Sequence, residues 1–340
     1  MKPRVGLVLG DGAGIGAELA AKLLALPQTA AAADIAVIGD ARLLARGAKE
    51  AGITPRIDAV VNRIDGPLSG IVMLDRGDAD PSAIRIGEIS VEGAGPALDN
   101  YRTALDLVRA GRLDAITFVP FNKQAMRLVD GKYEDELVFA AEYLGFKGIV
   151  AEFNIIDQFW NARVTSHVPL REVAALITQD RIIQRLTMTR DALIEAGVAQ
   201  PRIGVAALNP HAGDGGAFGR EDLDIITPAV ASARTLGITA EGPYPSDTVY
   251  VRAQKGAFDA VLSMYHDQGQ IAIKLLGFDT GVTLLGGLPV PITTPAHGTA
   301  YDIAGRGIAN VEPTRRAFDI AVRMAARRRA RTAMAAEAAV

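Results

Sequence analysis

The sequence predicts an α/β protein with a largely parallel sheet and crossover helices. Three observations carry this prediction. The chain of 340 residues is 49% apolar and contains 35 glycines, which suits a folded domain rich in tight βα turns. Short apolar runs alternate with helical stretches, and polar residues follow several of these runs directly. Because this length exceeds what one hydrophobic core usually serves, we expect two domains or one large α/β unit.

The elements follow from the pattern of apolar residues. Residues 5–9 form a β-branched and apolar run, which the segment GDGAGIGAE turns into a helix that continues to about residue 26. Later runs of the same kind predict strands at 34–38, 70–74, 115–119, 149–155, 162–166, 203–207 and 260–264. Helices are predicted at 41–51, 96–109 and 314–331, the last with a cationic run at 327–331 that indicates a solvated face.

Composition excludes several classes of protein. A net charge of −3 provides no basic field, so a nucleic-acid partner is not expected. The absence of cysteine excludes disulfides, a thiolate nucleophile and thiolate metal ligands. With no basic leader and no apolar run of membrane-spanning length, we expect a cytoplasmic protein without membrane contact.

The glycine-rich turn after the first strand allows two interpretations. Its glycines at 10, 12, 14 and 16 let the backbone approach a ligand, and N–H groups at a helix start favour anions. The same turn could serve the fold alone, because its spacing is not the fingerprint of a dinucleotide fold.

Polar residues are concentrated between residues 261 and 310. His266, Asp267, Lys274 and His297 lie there among glycines and apolar runs, which is more polar chemistry than a core needs. Two more histidines, His167 and His211, also come just after predicted strands, as His266 does. All three could therefore line one edge of a sheet, although their spacings match no local metal signature and each could be an ordinary surface residue.

Two segments carry a resemblance to known enzymes. HGTAYDIAGRGIAN, residues 297–310, resembles the segment that isocitrate and isopropylmalate dehydrogenases fold around the adenosine of NAD(P). MYHDQG followed by K-x-x-G-F, residues 264–278, resembles the 4-hydroxythreonine-4-phosphate dehydrogenase (PdxA) family of vitamin B6 synthesis. The likeness runs from about residue 4 to about residue 325 and so covers nearly the whole chain.

The resemblance implies an architecture. It predicts a two-lobed isopropylmalate dehydrogenase-like α/β fold, with parallel or mixed sheets and the active site in the cleft between the lobes. One lobe would comprise residues 1–129 and 280–340 with the cofactor segment, and the other residues 130–279 with the metal ligands and dimer contacts. It also predicts a homodimer with a shared active site.

The resemblance further implies a reaction. The protein would be a dehydrogenase that oxidises the CH–OH group of a small molecule with NAD or NADP, with possible loss of CO₂ if a β-keto acid forms. A divalent metal, zinc or else Mg, Co, Mn or Ni, would be held by His167, His211 and His266. The dinucleotide would be bound by His297, Gly298 and Asn310.

Three further residues receive roles near the reacting group. Lys274 matches a family lysine that contacts substrate, and is the candidate for stabilising the substrate or relaying a proton. Asp247 and Asp267 could orient metal ligands, although helix capping and a simple turn explain them equally well. Lys123, in the turn PFNK after the strand at 115–119, is a candidate for the wall of the site.

The sequence departs from the family at its substrate contacts. Glu134 and Asp135 stand where the family has histidine and threonine, unless Asp135 simply caps a helix. Thr283 and Ile292 replace an asparagine and an arginine, and isoleucine offers nothing to an anion. We therefore predict an altered, unphosphorylated substrate. The alternatives are a true 4-hydroxythreonine-4-phosphate dehydrogenase of pyridoxal phosphate synthesis and a non-catalytic regulatory protein that binds metal or nucleotide.

Overall fold

The computed structural model describes residues 2–338, which fold into two compact units. Within the described residues, the first unit combines residues 2–150 with 282–338, and the second comprises residues 151–281. The first boundary thus lies about twenty residues beyond the predicted residue 129. The helix that follows Asp135 belongs to the first unit, because its Phe139 stacks on Tyr101 with 5.9 Å between ring centroids.

The first unit contains seven β-strands that are neighbours in a sheet. Its strands are β1 (Arg4–Val8), β2 (Asp34–Gly39), β3 (Ala59–Val61), β4 (Ile71–Asp75), β5 (Ala115–Phe118), β11 (Val282–Gly286) and β12 (Ile292–Pro295). They are arranged in the order β3-β4-β2-β1-β5-β12-β11. All neighbours are parallel except β11 and β12, which are antiparallel.

Helices cover both faces of this sheet. They are α1 (Gly16–Ala25), α2 (Pro27–Ala32), α3 (Ala41–Ala51), α4 (Val91–Arg109), α5 (Lys123–Val129), α6 (Glu136–Tyr143) and α12 (Glu312–Ala338). One buried core joins Leu19 of α1, Leu44 of α3 and Phe318 of α12. The core on the other face is built from α4, α5 and α6, so the strands are buried on both sides, as their apolar sequences require.

The second unit contains five β-strands that are neighbours in a sheet. Its strands are β6 (Ala151–Ile155), β7 (Trp160–Arg163), β8 (Arg202–Ala206), β9 (Thr239–Tyr244) and β10 (Ala260–Ser263), in the order β6-β7-β10-β8-β9. Only the β6–β7 pair is antiparallel. The helices are α7 (Leu170–Leu176), α8 (Gln179–Ala196), α9 (Thr227–Thr235), α10 (Ser246–Gln254) and α11 (His266–Gly277).

The predicted α/β class with a mixed sheet is confirmed, although no ranges were predicted for the strands β3, β9, β11 and β12. Helix α4 begins at Val91, earlier than predicted, because Ser90 caps it by accepting the N–H of Gly93 at 3.1 Å. Strand β7 begins at Trp160, two residues before the predicted start, where Trp160 aligns with Ala260 of β10. The C-terminal helix runs to Ala338, beyond the predicted residue 331. Among the described residues, no helix is long and apolar enough to cross a membrane.

Candidate active site

Three parallel strands of the second unit end at one edge of its sheet. Strand β10 lies between β7 and β8, and its Ser263 aligns with Arg163 of β7. His167, His211 and His266 each follow the carboxyl end of one of these strands within a few residues. The carboxyl ends of such strands are where α/β sheets bind ligands. All three histidines therefore follow the same edge of the sheet, as the sequence indicates.

Two of the three imidazoles lie side by side. The ring centroids of His167 and His266 are 5.5 Å apart. The Thr165 hydroxyl fixes this arrangement by donating a 2.8 Å hydrogen bond to the Met264 carbonyl, which ties the segment after β7 to the segment after β10. The two side chains are therefore close enough to share one ion.

Gln268, which was not among the predicted site residues, connects the same edge to strand β8. Its side-chain oxygen accepts the N–H of Met264 at 2.7 Å, and its amide donates to the Ala207 carbonyl at 2.8 Å. It thereby fixes the start of α11 against both neighbouring strands. The signal was present in the motif MYHDQG, whose glutamine has this structural role.

His211 lies in a strained loop. Five consecutive residues from 211 to 215 adopt the left-handed backbone, with φ of 53° at His211. His167 is also left-handed, with φ of 49°. Left-handed residues other than glycine cost on the order of 1–3 kcal/mol each and tend to persist at functional sites. Two predicted metal ligands are thus among the few non-glycine residues in this conformation.

A buried carboxylate holds the strained loop in place. Asp222 is fully buried and accepts the backbone N–H groups of Leu208 and Asn209 at 2.8 and 3.0 Å. It also accepts the side-chain amide of Asn209 at 3.0 Å. These bonds fix the approach to His211, whose ring packs against Phe218 with 6.2 Å between centroids.

The histidines fit a divalent ion in part. Within residues 2–338 of this chain, no three His, Cys, Asp or Glu side chains are grouped so that they could hold a metal ion. The His167–His266 pair supplies two neighbouring imidazoles, and His266 Nδ1 lies 2.7 Å from the Asp267 carboxylate. That contact leaves Nε2 of His266 as the ligand atom, as is common for metal-bound histidine. The imidazole nitrogens of His167 and His266 therefore suit a metal. Within one chain, His211 does not form a three-residue group with them.

Helix α11 carries the other predicted residues of this unit. Asp267 and Lys274 are exposed and seven residues apart, which is nearly two turns, so they share one face of the helix. The helix packs closely on β7, because a Cβ on Gly269 would lie 2.2 Å from the Asn161 amide nitrogen. Asp247 is exposed in the first turn of α10, where Pro245 and not Asp247 occupies the cap position.

In the first unit, acidic residues occupy the two positions of the family's His–Thr pair and the position that follows them. Asp135 is buried and caps α6 by accepting the Val138 N–H at 2.8 Å, so the capping interpretation is confirmed. Glu134 is exposed, and Glu136 lies 3.8 Å from the Lys123 ammonium. Burial raises the pKa of Glu136, and the charge of Lys123 counteracts part of this shift. The ammonium of Lys123 therefore already faces a carboxylate.

The two remaining substrate candidates lie on adjacent strands. Thr283 is half-buried on β11, opposite Thr294. Ile292 is completely buried in the core on the α4 face and aligns with Ile116 of β5. As a candidate for substrate contact, Ile292 is thus not available in this structure, because its side chain fills the core.

Replacing Ile292 with arginine, the family residue, is expected to destabilise the protein by about 3 kcal/mol or more, because a cation would be buried without a partner. Urea unfolding followed by circular dichroism measures this. The matched control is Thr283→Asn, which restores the family residue at a half-buried site and should cost about 1 kcal/mol or less. Wild-type stability of Ile292→Arg would show that this side chain can reach solvent.

The predicted cofactor residues lie beside the glycine-rich turn. Burial lowers the pKa of His297, whose Nδ1 is 3.0 Å from the Gly298 carbonyl. Asn310 precedes α12 and accepts the N–H of Glu312 at 3.0 Å. The backbone N–H of Ile15 donates to the Thr299 carbonyl at 3.1 Å, which joins the glycine-rich turn to the predicted cofactor segment.

Comparison with known proteins places these features in one family. A family model described as pyridoxal phosphate biosynthetic protein PdxA matches residues 31–321. A relative from Rhizobium meliloti, provisionally named 4-hydroxythreonine-4-phosphate dehydrogenase 2, is 51% identical over 336 residues, which are 98% of this chain and 97% of the relative.

Two solved structures are also similar to this chain over most of its length. A 4-hydroxythreonine-4-phosphate dehydrogenase from Klebsiella pneumoniae superposes with a TM-score of 0.80 at 34% identity, covering 96% of this chain and 98% of that one. A terephthalate 1,2-cis-dihydrodiol dehydrogenase from Burkholderia xenovorans superposes with a TM-score of 0.64 at 29% identity, covering 92% and 94%.

Proposed function

Because the chain belongs to the PdxA family of dehydrogenases, we propose that it is a divalent-metal- and NAD(P)-dependent dehydrogenase whose secondary-alcohol substrate carries no phosphate. The alternative within the family is 4-phosphohydroxythreonine itself, the substrate type named for the relatives.

The buried carboxylate of Asp135 carries the proposal. Helix N-termini favour anions, but here the Asp135 side chain already accepts the Val138 N–H of α6. A phosphate at this end of the helix would meet a buried carboxylate, with Glu134 beside it in the chain, and like charges repel strongly in a low dielectric. A hydroxyl or other neutral group would instead be accepted.

Two positions at which a cation could offset this repulsion, Lys123 and Ile292, support the same proposal. The Lys123 ammonium lies 3.8 Å from Glu136, so its charge is partly compensated. Ile292 places an apolar, fully buried side chain at the position of the family's arginine. Arginine is the natural bidentate partner of phosphate, and nothing at this position replaces it.

In the second unit, His167, His211 and His266 would hold the ion, and Asp267 would orient His266 through its Nδ1. When bound, a divalent ion lowers the pKa of a coordinated hydroxyl and favours loss of hydride to the nicotinamide. Lys274 is our candidate for holding the substrate and for moving the hydroxyl proton, since its ammonium lies on the same helix face as Asp267. Asp247 stays a predicted second partner for the metal ligands.

The dinucleotide would lie against His297, Gly298 and Asn310 in the first unit. His297 is half-buried, and desolvation lowers its pKa, which is the direction that favours the neutral imidazole. The choice between NAD and NADP, the identity of the metal and a cytoplasmic location stay predictions.

A homodimer is part of the proposal. Large apolar side chains are exposed within nine residues in sequence of each predicted metal ligand: Leu170 (70%), Phe218 (51%), Ile271 (61%) and Leu275 (81%). Such side chains could become buried against a second copy, which would also complete the metal set that one chain leaves unassembled. A monomeric mass in light scattering would contradict this part of the proposal.

The substrate proposal is tested by reduction of NAD⁺ and NADP⁺ with metal-loaded enzyme. We expect turnover of unphosphorylated hydroxy acids, sugar acids or cis-dihydrodiols, with kcat/KM for 4-phosphohydroxythreonine lower by about a hundredfold or more, as expected for an unfavourable buried charge pair. The double variant Glu134→His/Asp135→Thr restores the family residues, and threonine keeps a helix cap. It should gain activity on the phosphorylated compound. A metal-loaded enzyme that oxidises none of these alcohols would favour the regulatory alternative.

A further inference from the structure

The glycine-rich turn and the predicted cofactor segment form one packed structure in the first unit. A Cβ on Gly14 would lie 2.8 Å from the Thr299 side chain, so this glycine is required by the close approach of residue 299. The backbone bond from Ile15 to the Thr299 carbonyl fixes the same contact. A ligand bound to residues 297–310 would therefore contact a segment whose position is fixed by the glycine-rich turn.

Asp11 is the buried acid of this turn. It is 1% exposed and accepts the backbone N–H of Ala13 at 2.8 Å with Oδ1. Burial raises its pKa, while a hydrogen bond from Tyr301, the Ala13 N–H and the charge of Arg46 counteract this shift. An acid buried in this way needs its donors, and the turn provides only the one from Ala13.

Tyr301 supplies the other donor from the cofactor segment. Its hydroxyl donates to Asp11 Oδ2 at 2.5 Å, across 290 residues of sequence. Burial, followed by the bond to Asp11, raises the pKa of this hydroxyl, and bonds with Thr299 and Asn122 counteract the shift. The hydroxyl thus lies where the glycine-rich turn, the cofactor segment and the turn that precedes Lys123 meet.

We propose that Asp11 and Tyr301 are positioning residues for the dinucleotide, and that their hydrogen bond holds residues 297–301 in the conformation that binds it. The inference rests on the proposed function, in which this segment binds NAD(P). Neither residue needs to contact the dinucleotide, because the bond acts on the backbone that carries His297 and Gly298. Its loss should therefore weaken dinucleotide binding and leave the chemical step intact.

The test is the variant Tyr301→Phe, which removes the hydroxyl and keeps the ring. The dissociation constant of NADH or NADPH, measured by fluorescence titration, should rise about tenfold, as expected for loss of a hydrogen bond to a buried charge. At saturating dinucleotide, kcat should stay within about twofold of wild type. Amide exchange of residues 298–304 should accelerate, while that of α3 should not change.

A matched control removes the same kind of bond elsewhere in the unit. The hydroxyl of Tyr143 donates to Asp106 at 3.0 Å on an exposed surface. Tyr143→Phe should leave the dinucleotide dissociation constant within about twofold of wild type, since exposed pairs contribute little.

The outcomes separate this inference from the proposed function. Wild-type protein that binds neither NADH nor NADPH would overturn the proposed function itself. If wild type binds and Tyr301→Phe binds equally well, only the positioning role is overturned. A variant that keeps wild-type affinity but loses kcat at saturation would also overturn it, because the hydroxyl would then act in the chemical step.

Discussion

Replacing His211 with asparagine is expected to abolish binding of the proposed divalent metal and to lower kcat/KM by about a thousandfold, since a metal contributes several kcal/mol to stabilising the transition state. Asparagine is chosen because it tolerates the left-handed backbone found at this residue, where φ is 53°. The fold should therefore survive while the imidazole is lost. Metal content after dialysis, measured by elemental analysis, and steady-state rates check this together.

The chain offers a matched control for this experiment. His297 is the one histidine outside the predicted ligand set. His297→Asn should retain the metal and weaken dinucleotide binding instead. A His211→Asn protein that keeps one metal per chain would show that His211 is not a ligand, and the strain in residues 211–215 would then need another explanation.

Replacing Gly269 with alanine is expected to lower kcat/KM by about a hundredfold, because small displacements of reacting groups have effects of this size. The new Cβ would lie 2.2 Å from the Asn161 amide nitrogen, so α11 must move away from β7. His266, Asp267 and Lys274 all lie on this helix and would move with it. We also expect a loss of about 1–3 kcal/mol in the free energy of unfolding from overpacking.

Two comparisons make the Gly269 prediction specific. Gly95 in α4 has open space where a Cβ would be added, so Gly95→Ala should keep full activity and tend to stabilise its helix. The double variant Asn161→Ala/Gly269→Ala removes the clashing amide and should recover part of the lost activity relative to Gly269→Ala. An active Gly269→Ala enzyme would mean that the position of α11 does not matter for the reaction.

The strands β1, β2, β4 and β5 of the first unit were predictable because parallel strands buried on both faces appear as continuous apolar runs. The run at 115–119 corresponds to β5 (Ala115–Phe118). The start of α4 was not predictable in the same way. Gly93, Gly95 and Pro96 are poor helix formers, and the first turn is held by the Ser90 cap and by packing of Ala94 and Ala97 in the core.

The candidate site, too, could be predicted only in part from the sequence. That each histidine follows a strand is visible in the sequence, but the adjacency of β7, β10 and β8 depends on strand order, which is set by tertiary packing. The left-handed conformation of His211 could not be inferred, because its stability comes from Asp222, eleven residues away, and from bonds to Leu208 and Asn209. Likewise, only the structure shows that Asp11 and Tyr301 meet.

Ile292 was a candidate for substrate contact, but its side chain is not available for this role. The position matches an arginine of the family, yet here its side chain packs in the core between β5 and β11. Absence of the arginine is informative about the substrate, but Ile292 itself contacts only protein. Asp135 is the stronger indicator, because its buried carboxylate is a charge that any ligand at the start of α6 must accommodate.

The most direct test of the central claim is a comparison of 4-hydroxythreonine with its 4-phosphate ester under identical conditions. The two compounds share the alcohol that would be oxidised and differ only in the phosphate. With metal-loaded wild-type enzyme and either dinucleotide, we predict that kcat/KM is higher for the unphosphorylated compound, and that Glu134→His/Asp135→Thr reverses this preference. Efficient oxidation of the phosphate ester by the wild-type enzyme, with little or none of the free alcohol, would contradict the account and restore the vitamin B6 reaction as its function.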